Sequence, residues 1–274
     1  MKRPTLKEIA KQAAKTLSQC GIAKAHLPTP EALQSAQTAM LARLERFAPK
    51  CKKWWRKLKR CSLRKTRCPN TNCSAACWFG GRLLVQRTVA EAAELLEQID
   101  LSLWFVTVVH PNDRVEIGQL ERWKVEAPAL RVRRALRKLE AFGPVWAAGG
   151  LDVSFEDGPA PFWSPHWHLI IATKAPKEEI RAAFHPRGGD SKSVTVKRVH
   201  DLTPLCGYAF KSQSVRHVPI LSGRRKARDK IKLPLSGKHD KHRVEHDCWV
   251  HHTGTRRLIF YGLKRIHGVL VRLR

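Results

Sequence analysis

Trp163-Ser-Pro-His166-Trp167-His168-Leu-Ile-Ile171 sets two histidines on either side of one bulky apolar residue and runs on into a β-type segment. In a strand, residues i and i+2 point to the same face. His166 and His168 then project side by side, and Trp167 turns to the opposite face. Two neutral imidazoles on one face can hold a divalent metal. Pro165 suits a place just before the strand, where its missing N–H costs no ladder bond. A His-x-His pair is also a common pair of polar residues on a solvated face. What separates the two readings is a third ligand and a nucleophile placed within reach.

Outward from this stretch, the flanking elements supply candidates for both. Leu101–Val109 is rich in β-branched and aromatic residues and reads as a strand. Residues 116–142 read as helical, with a break or kink at Pro128, and Gly143-Pro144 stops the helix. Trp146–Phe155 reads as a second strand. The short turn from Glu156 to Pro161 makes an antiparallel hairpin with the His strand. Asp152 and Glu156 share one face of that strand with Ser154. Asp152 is the preferred third ligand, because Glu156 falls where the turn begins.

Residues 176–184 read as a short helix, and Val194–Val199 alternates as a fourth strand. Thr203-Pro204 then gives an N-cap and a first-turn proline for a helix carrying Tyr208 and Lys211. Three residues apart on a helix, these two share a face. The predicted class is α+β, an antiparallel sheet with helices packed on it.

The order of strand Trp104–Val109, His166-Trp-His168 and Tyr208-Ala-Phe-Lys211 resembles the His-hydrophobic-His endonucleases. These include the rolling-circle replication initiators of plasmids, phages and related transposons. The resemblance covers roughly residues 100–215. It implies an RNA-recognition-type α+β domain in which His166 and His168 ligate Mg²⁺ or Mn²⁺, with Asp152 or Glu156 as third ligand. It implies that Tyr208 attacks a phosphate of single-stranded DNA, leaving a 5′-phosphotyrosine and a 3′-hydroxyl, while Lys211 positions the tyrosine or the phosphate. It implies single- and double-stranded origin DNA and the host's replication helicase and polymerase as partners, in a bacterial cytoplasm. Transposases and mobilisation relaxases are similar and share this step. The chain has no nucleotide-binding Walker pattern, so no helicase is expected within it. Tyr261-Gly-Leu-Lys264 repeats the Tyr-x-x-Lys spacing in an apolar setting and reads as packing.

The remainder of the chain carries charge and sulfur. The 274 residues hold 52 basic and 23 acidic side chains, a net charge of +29 that points to a polyanion, nucleic acid before membrane. Hydrophobic residues make up 43%, enough for a buried core. No run of about 18 apolar residues reads as a membrane span. No amphipathic basic helix with an aromatic face favours a membrane surface, and the N-terminus lacks the apolar segment of a secretory signal. Residues 1–49 read as a helical region broken by Pro28 and Pro30.

Residues 50–88 form a basic Cys-rich region. Its DNA-binding candidates are Lys52, Lys53, Arg56, Lys57, Lys59 and Arg60, beside Trp54 and Trp55. In a reducing compartment, Cys61, Cys68, Cys73 and Cys77 are thiols or ligands of a zinc-knuckle-like site. A zinc-braced nucleic-acid-binding protein without catalysis is the competing reading. Residues 216–274 read as a basic region, turn-rich around Ser222–Arg228, whose last stretch from Leu258 to Leu273 is apolar enough to dock on the core as helix or strand. Its histidines (His239, His242, His246, His251 and His252) and Cys248 are expected in an exposed polar segment.

Overall fold

The computed structural model describes residues 30–48, 52–59, 74–78, 88, 91–186, 193–202, 205, 215–219, 230–235, 237–266 and 269–273. Among these residues the α-helices are α1 (Pro30–Phe47), α2 (Lys52–Lys59), α3 (91–97), α4 (Glu126–Leu139), α5 (Lys177–Phe184) and α6 (Asp240–Thr253). The strands among them are β1 (Leu103–Val109), β2 (Val115–Glu116), β3 (Trp146–Glu156), β4 (Phe162–Ala172), β5 (Val194–Arg198), β6 (Val215–Pro219), β7 (Lys230–Pro234), β8 (Leu258–Tyr261), β9 (Leu263–Ile266) and β10 (Val269–Arg272).

The predicted α+β class with an antiparallel sheet and packed helices is what the structure shows. Among the described residues the main sheet has eight strands in the order β5-β1-β4-β3-β6-β7, with β2 on β4 and β8 on β3. Every pairing in it is antiparallel except β3–β6. The hairpin β3–β4 is the centre, with a continuous register from Trp146↔Ala172 to Glu156↔Phe162. Gly149 makes this ladder possible: a Cβ there would stand 2.1 Å from the His168 carbonyl oxygen.

Strand alternation gives the sheet two unlike faces. Val106, Val108, Leu151, Val153, Phe155, Trp163, Trp167, Leu169 and Ile171 point to one side. There they pack against buried residues of α1, α2, α4, α5 and α6, including Leu44, Leu58, Leu136, Ile180 and Trp249. This is the main core. On the other face one end is apolar. Phe105, Ala148, Ile170 and Ala172 lie under Ala92, Ala93 and Leu96 of α3 and under Leu258, Leu263 and Leu270. The opposite end of that face is polar and is left uncovered by these groups.

Several local expectations change. Pro128 does not kink a long helix. It lies in the first turn of α4, where its missing N–H removes no intrahelical bond. The residues ahead of it form β2 and a short 3₁₀ turn at Leu120–Arg122. Pro165 lies inside β4 rather than before it. On one side β4 changes partner there, from β2 at Trp163 to β1 at His166, so that side demands no ladder bond of the proline. Glu156 belongs to β3 and not to the turn.

The largest difference is in residues 216–274. The expected turn-rich part supplies β7, most of β6, and a core helix, while the apolar stretch from Leu258 forms β8 against β3. His239, His246 and Cys248 are buried, as are Val244, Trp249 and Val250. Two acidic residues of α6 face polar groups from elsewhere in the fold. Glu245 accepts from Trp163 Nε1 at 3.1 Å and from the Leu120 amide at 2.7 Å. Asp247 lies 3.9 Å from Arg43 of α1.

Candidate metal centre

Asp152, His166 and His168 each offer a ligand atom, and these atoms lie within 4.8 Å of one another. The register explains why. Asp152 is the cross-strand partner of His166, and His168 is two residues on along the same face of β4. Asp152 Oδ2 is 3.6 Å from His166 Nε2. The two rings meet edge to face, with centroids 4.7 Å apart. All three residues are buried or nearly so, at 3%, 9% and 2% exposure, so this is not a solvated polar pair.

Both rings are oriented through Nδ1. His166 Nδ1 donates to the Ser164 carbonyl at 2.9 Å, which fixes the proton on that nitrogen. His168 Nδ1 is 3.0 Å from Thr107 Oγ1 on β1. The ring of His168 also stacks on Phe105, centroids 5.7 Å apart. Nε2 thereby becomes the metal-facing nitrogen of each imidazole, the second-shell arrangement that ligand histidines use. Two imidazoles and a carboxylate suit Mn²⁺ and its neighbours in the first transition row, and a carboxylate also suits Mg²⁺. The donor set fits a divalent cation.

Arg257 is buried, at 1% exposure. Burial pushes its guanidinium pKa down to about 10, and the charge of Asp152 opposes that shift. Asp152 therefore sits in a positive field from within the protein as well as facing the two histidines.

The cluster opens on a cavity of about 840 Å³. Thr107, Ser154, His166 and His168 line its floor. Arg114, Lys197, Glu156, His217 and Leu205 stand around it. Glu156 shares the face of Asp152 but sits four residues along β3, where it bonds His217 instead. His217 Nδ1 is 2.7 Å from Glu156 Oε1, and Ser154 Oγ donates to the same oxygen at 3.1 Å. Of the two acids considered for third ligand, Asp152 is the one the structure brings to the histidines.

Other predicted residues are placed elsewhere. Tyr208 and Lys211 lie outside the described residues, as do Cys61, Cys68, Cys73 and Arg60. Cys77 is fully buried in the main core. Lys52, Lys53 and Lys57 belong to α2, but their side chains lie outside the description; Arg56 and Lys59 are exposed on it. This helix packs on the helix-covered side of the sheet, through Trp54 stacked on His251 at 4.3 Å, away from the metal group. Trp54 is thus part of the main core. Tyr261 pairs with Ala147, on the sheet face opposite the histidines, and donates to Glu140 at 2.7 Å. Burial and this carboxylate raise its pKa, which suits packing.

Sequence reasoning missed Thr107, Ser164, Arg257 and His217. Thr107 had a signal, a polar residue at the centre of an apolar strand. Arg257 and His217 had none, because their partners lie 105 and 61 positions away in the chain. Comparison with protein-family models, with curated proteins and with solved structures gave no match.

Proposed function

We propose that this chain is a metal-dependent enzyme that nicks and rejoins single-stranded DNA through a 5′-phosphotyrosine intermediate, as an initiator of rolling-circle replication. The observation that carries the reading is the buried Asp152–His166–His168 group opening on a cavity also lined by Leu205. Leu205 precedes Tyr208 by three residues in the sequence. The net charge of +29 supplies the attraction for a polyanion.

Asp152, His166 and His168 would hold Mg²⁺ or Mn²⁺. When bound, the cation polarises a phosphate oxygen and offsets the charge that builds up at phosphorus. The protein's part begins with orientation. Thr107 and the Ser164 carbonyl fix the two rings, and the positive charge of Arg257 acts on Asp152. Tyr208 then gives up its proton and its oxygen attacks phosphorus. The P–O3′ bond breaks, and the 3′ oxygen leaves with the bonding pair and takes up a proton. The phosphate stays on Tyr208, and Lys211 steadies the anion. The reverse attack by a 3′-hydroxyl rejoins the strand, so no nucleotide cofactor is needed. Transposition and mobilisation would use the same step.

The test is incubation with mixed-sequence single-stranded oligonucleotides and Mn²⁺, resolved on a denaturing gel. Wild type and Tyr261→Phe are expected to give a covalent band, and Tyr208→Phe none. A band lost in Tyr261→Phe and kept in Tyr208→Phe would overturn the assignment of the nucleophile.

A further inference from the structure

Two cavities meet beside the metal group, and their shared wall has a chemistry of its own. The second has a volume of about 710 Å³ and shares Arg114, Glu156, Phe162 and His217 with the first. The shared wall stands four strand residues from Asp152 along β3, about 13 Å at the usual rise. That is too far to touch the reacting phosphorus and near enough to hold the strand beside it.

The wall is organised before any ligand arrives. The guanidinium of Arg114 lies over the Phe162 ring, 4.8 Å from its centroid. It is exposed and makes no ion pair with a carboxylate among the described residues. The backbone on either side is fixed, because β2 begins at the next residue and its Glu116 pairs with Phe162 of β4. Across the wall, Glu156 holds His217 through Nδ1, and His217 Nε2 has no hydrogen-bond partner among the described residues. Ser154 Oγ donates to the same Glu156 oxygen. Both bonds gather on Glu156 Oε1 and hold that oxygen in place.

Resting on the nicking reading above, we propose that Arg114, Phe162 and His217 form a subsite for a nucleotide flanking the scissile one. A base stacks on the guanidinium plane that Phe162 supports, its phosphate meets Arg114, and the His217 ring walls the subsite. A flat cation backed by an aromatic ring is a stacking surface that tolerates any base. It selects a single strand, because duplex bases have no exposed face to offer. Ordinary surface packing of Arg114 on Phe162 would account for the cation–π contact alone. It would not account for the cavities that open on both sides of the contact.

The two ideas separate by salt dependence. The probe is a fluorescein-labelled single-stranded oligonucleotide of mixed sequence, followed by anisotropy without divalent metal over a range of salt. Arg114→Met is expected to weaken binding about tenfold and to reduce the slope of log K against log salt by about 0.7, the share of one phosphate contact. Phe162→Leu is expected to weaken binding several-fold with the slope unchanged, since stacking releases no counterion. Arg114→Lys keeps the charge and loses the plane, so it should keep the slope and lose affinity.

Unchanged affinity and slope in Arg114→Met, with its melting temperature that of wild type, would overturn the subsite and leave the nicking reading intact. Covalent adducts absent from wild type, with these salt slopes as expected, would overturn the nicking reading alone.

Discussion

Asp152 Oδ2 and His166 Nε2 face each other at 3.6 Å across the β3–β4 ladder. The separation is longer than a hydrogen bond. Both groups are buried, and a third donor, His168, is at hand. Such an arrangement costs desolvation unless a charge is shared among its members. A divalent cation does that, and the predictions below follow from the shell built around it.

Thr107 orients His168 and touches no other ligand candidate in the group. Thr107→Val keeps the β-branched shape and removes the hydroxyl. We predict Mn²⁺ binding weaker by about tenfold or more, the usual effect of losing an outer-shell partner. Isothermal titration checks this. An unchanged dissociation constant would mean that the 3.0 Å contact does not set the ring.

Arg257 supplies positive charge to Asp152 when no cation is bound. Arg257→Met should destabilise the metal-free protein, because the buried Asp152 loses a positive charge that acts on it. A bound cation then replaces the lost charge. The rise in melting temperature on adding Mn²⁺ is therefore expected to be larger in the variant than in wild type. Equal rises would show that Arg257 and the metal do not share Asp152.

His242 packs on Phe155, with ring centroids 4.7 Å apart. Burial lowers its pKa, against the opposing charges of Glu245 and Asp157 and with a small push from Lys241. A histidine depressed in the fold takes up its proton more readily when unfolded. Stability is therefore constant above the unfolded value of about 6.5 and falls as pH drops below it toward the folded value. His110, also lowered by burial, adds to the same trend. Calorimetry of His242→Phe should show a shallower loss of melting temperature in this acid window. An unaltered slope would assign the acid sensitivity elsewhere.

Gly149 pairs with Leu169, and a Cβ there would meet the β4 backbone at the His168 carbonyl oxygen and the Leu169 Cα. Backbone cannot yield as a side-chain tip can. Gly149→Ala is expected to cost about 3 kcal/mol in urea unfolding, at the upper end for one added methyl group in a packed interior. A loss well under that would mean the hairpin relaxes, and His168 with it.

Much of this site was legible in the sequence because strand geometry is strict. The period of two set His166 and His168 on one face, and the short loop after Glu156 fixed the hairpin. Once the hairpin is fixed, residue parity puts Asp152 beside His166. The same parity put Glu156 on that face but could not say that His217 would claim it, since that contact depends on the β3–β6 pairing. The tail resisted for a different reason. His239, His242 and His246 read as polar letters, yet the helix is buried because partners from distant elements satisfy it. Glu245 meets Trp163 and Leu120, and Asp247 lies near Arg43. No local periodicity records such partners. Pro128 shows the same limit on a small scale, since a proline breaks a helix or begins one depending on where the first turn falls.

The most direct measurement is the yield of covalent protein–DNA adduct against Mn²⁺ concentration, for wild type and for His166→Ala/His168→Ala, with single-strand affinity recorded in parallel. Wild type should form adduct only with the metal, and a chelator should abolish it. The double variant should lose the adduct by about a hundredfold or more while its salt-sensitive DNA binding stays near that of wild type. Adduct that survives the double substitution, or DNA binding that collapses with it, would contradict a catalytic metal centre at these histidines.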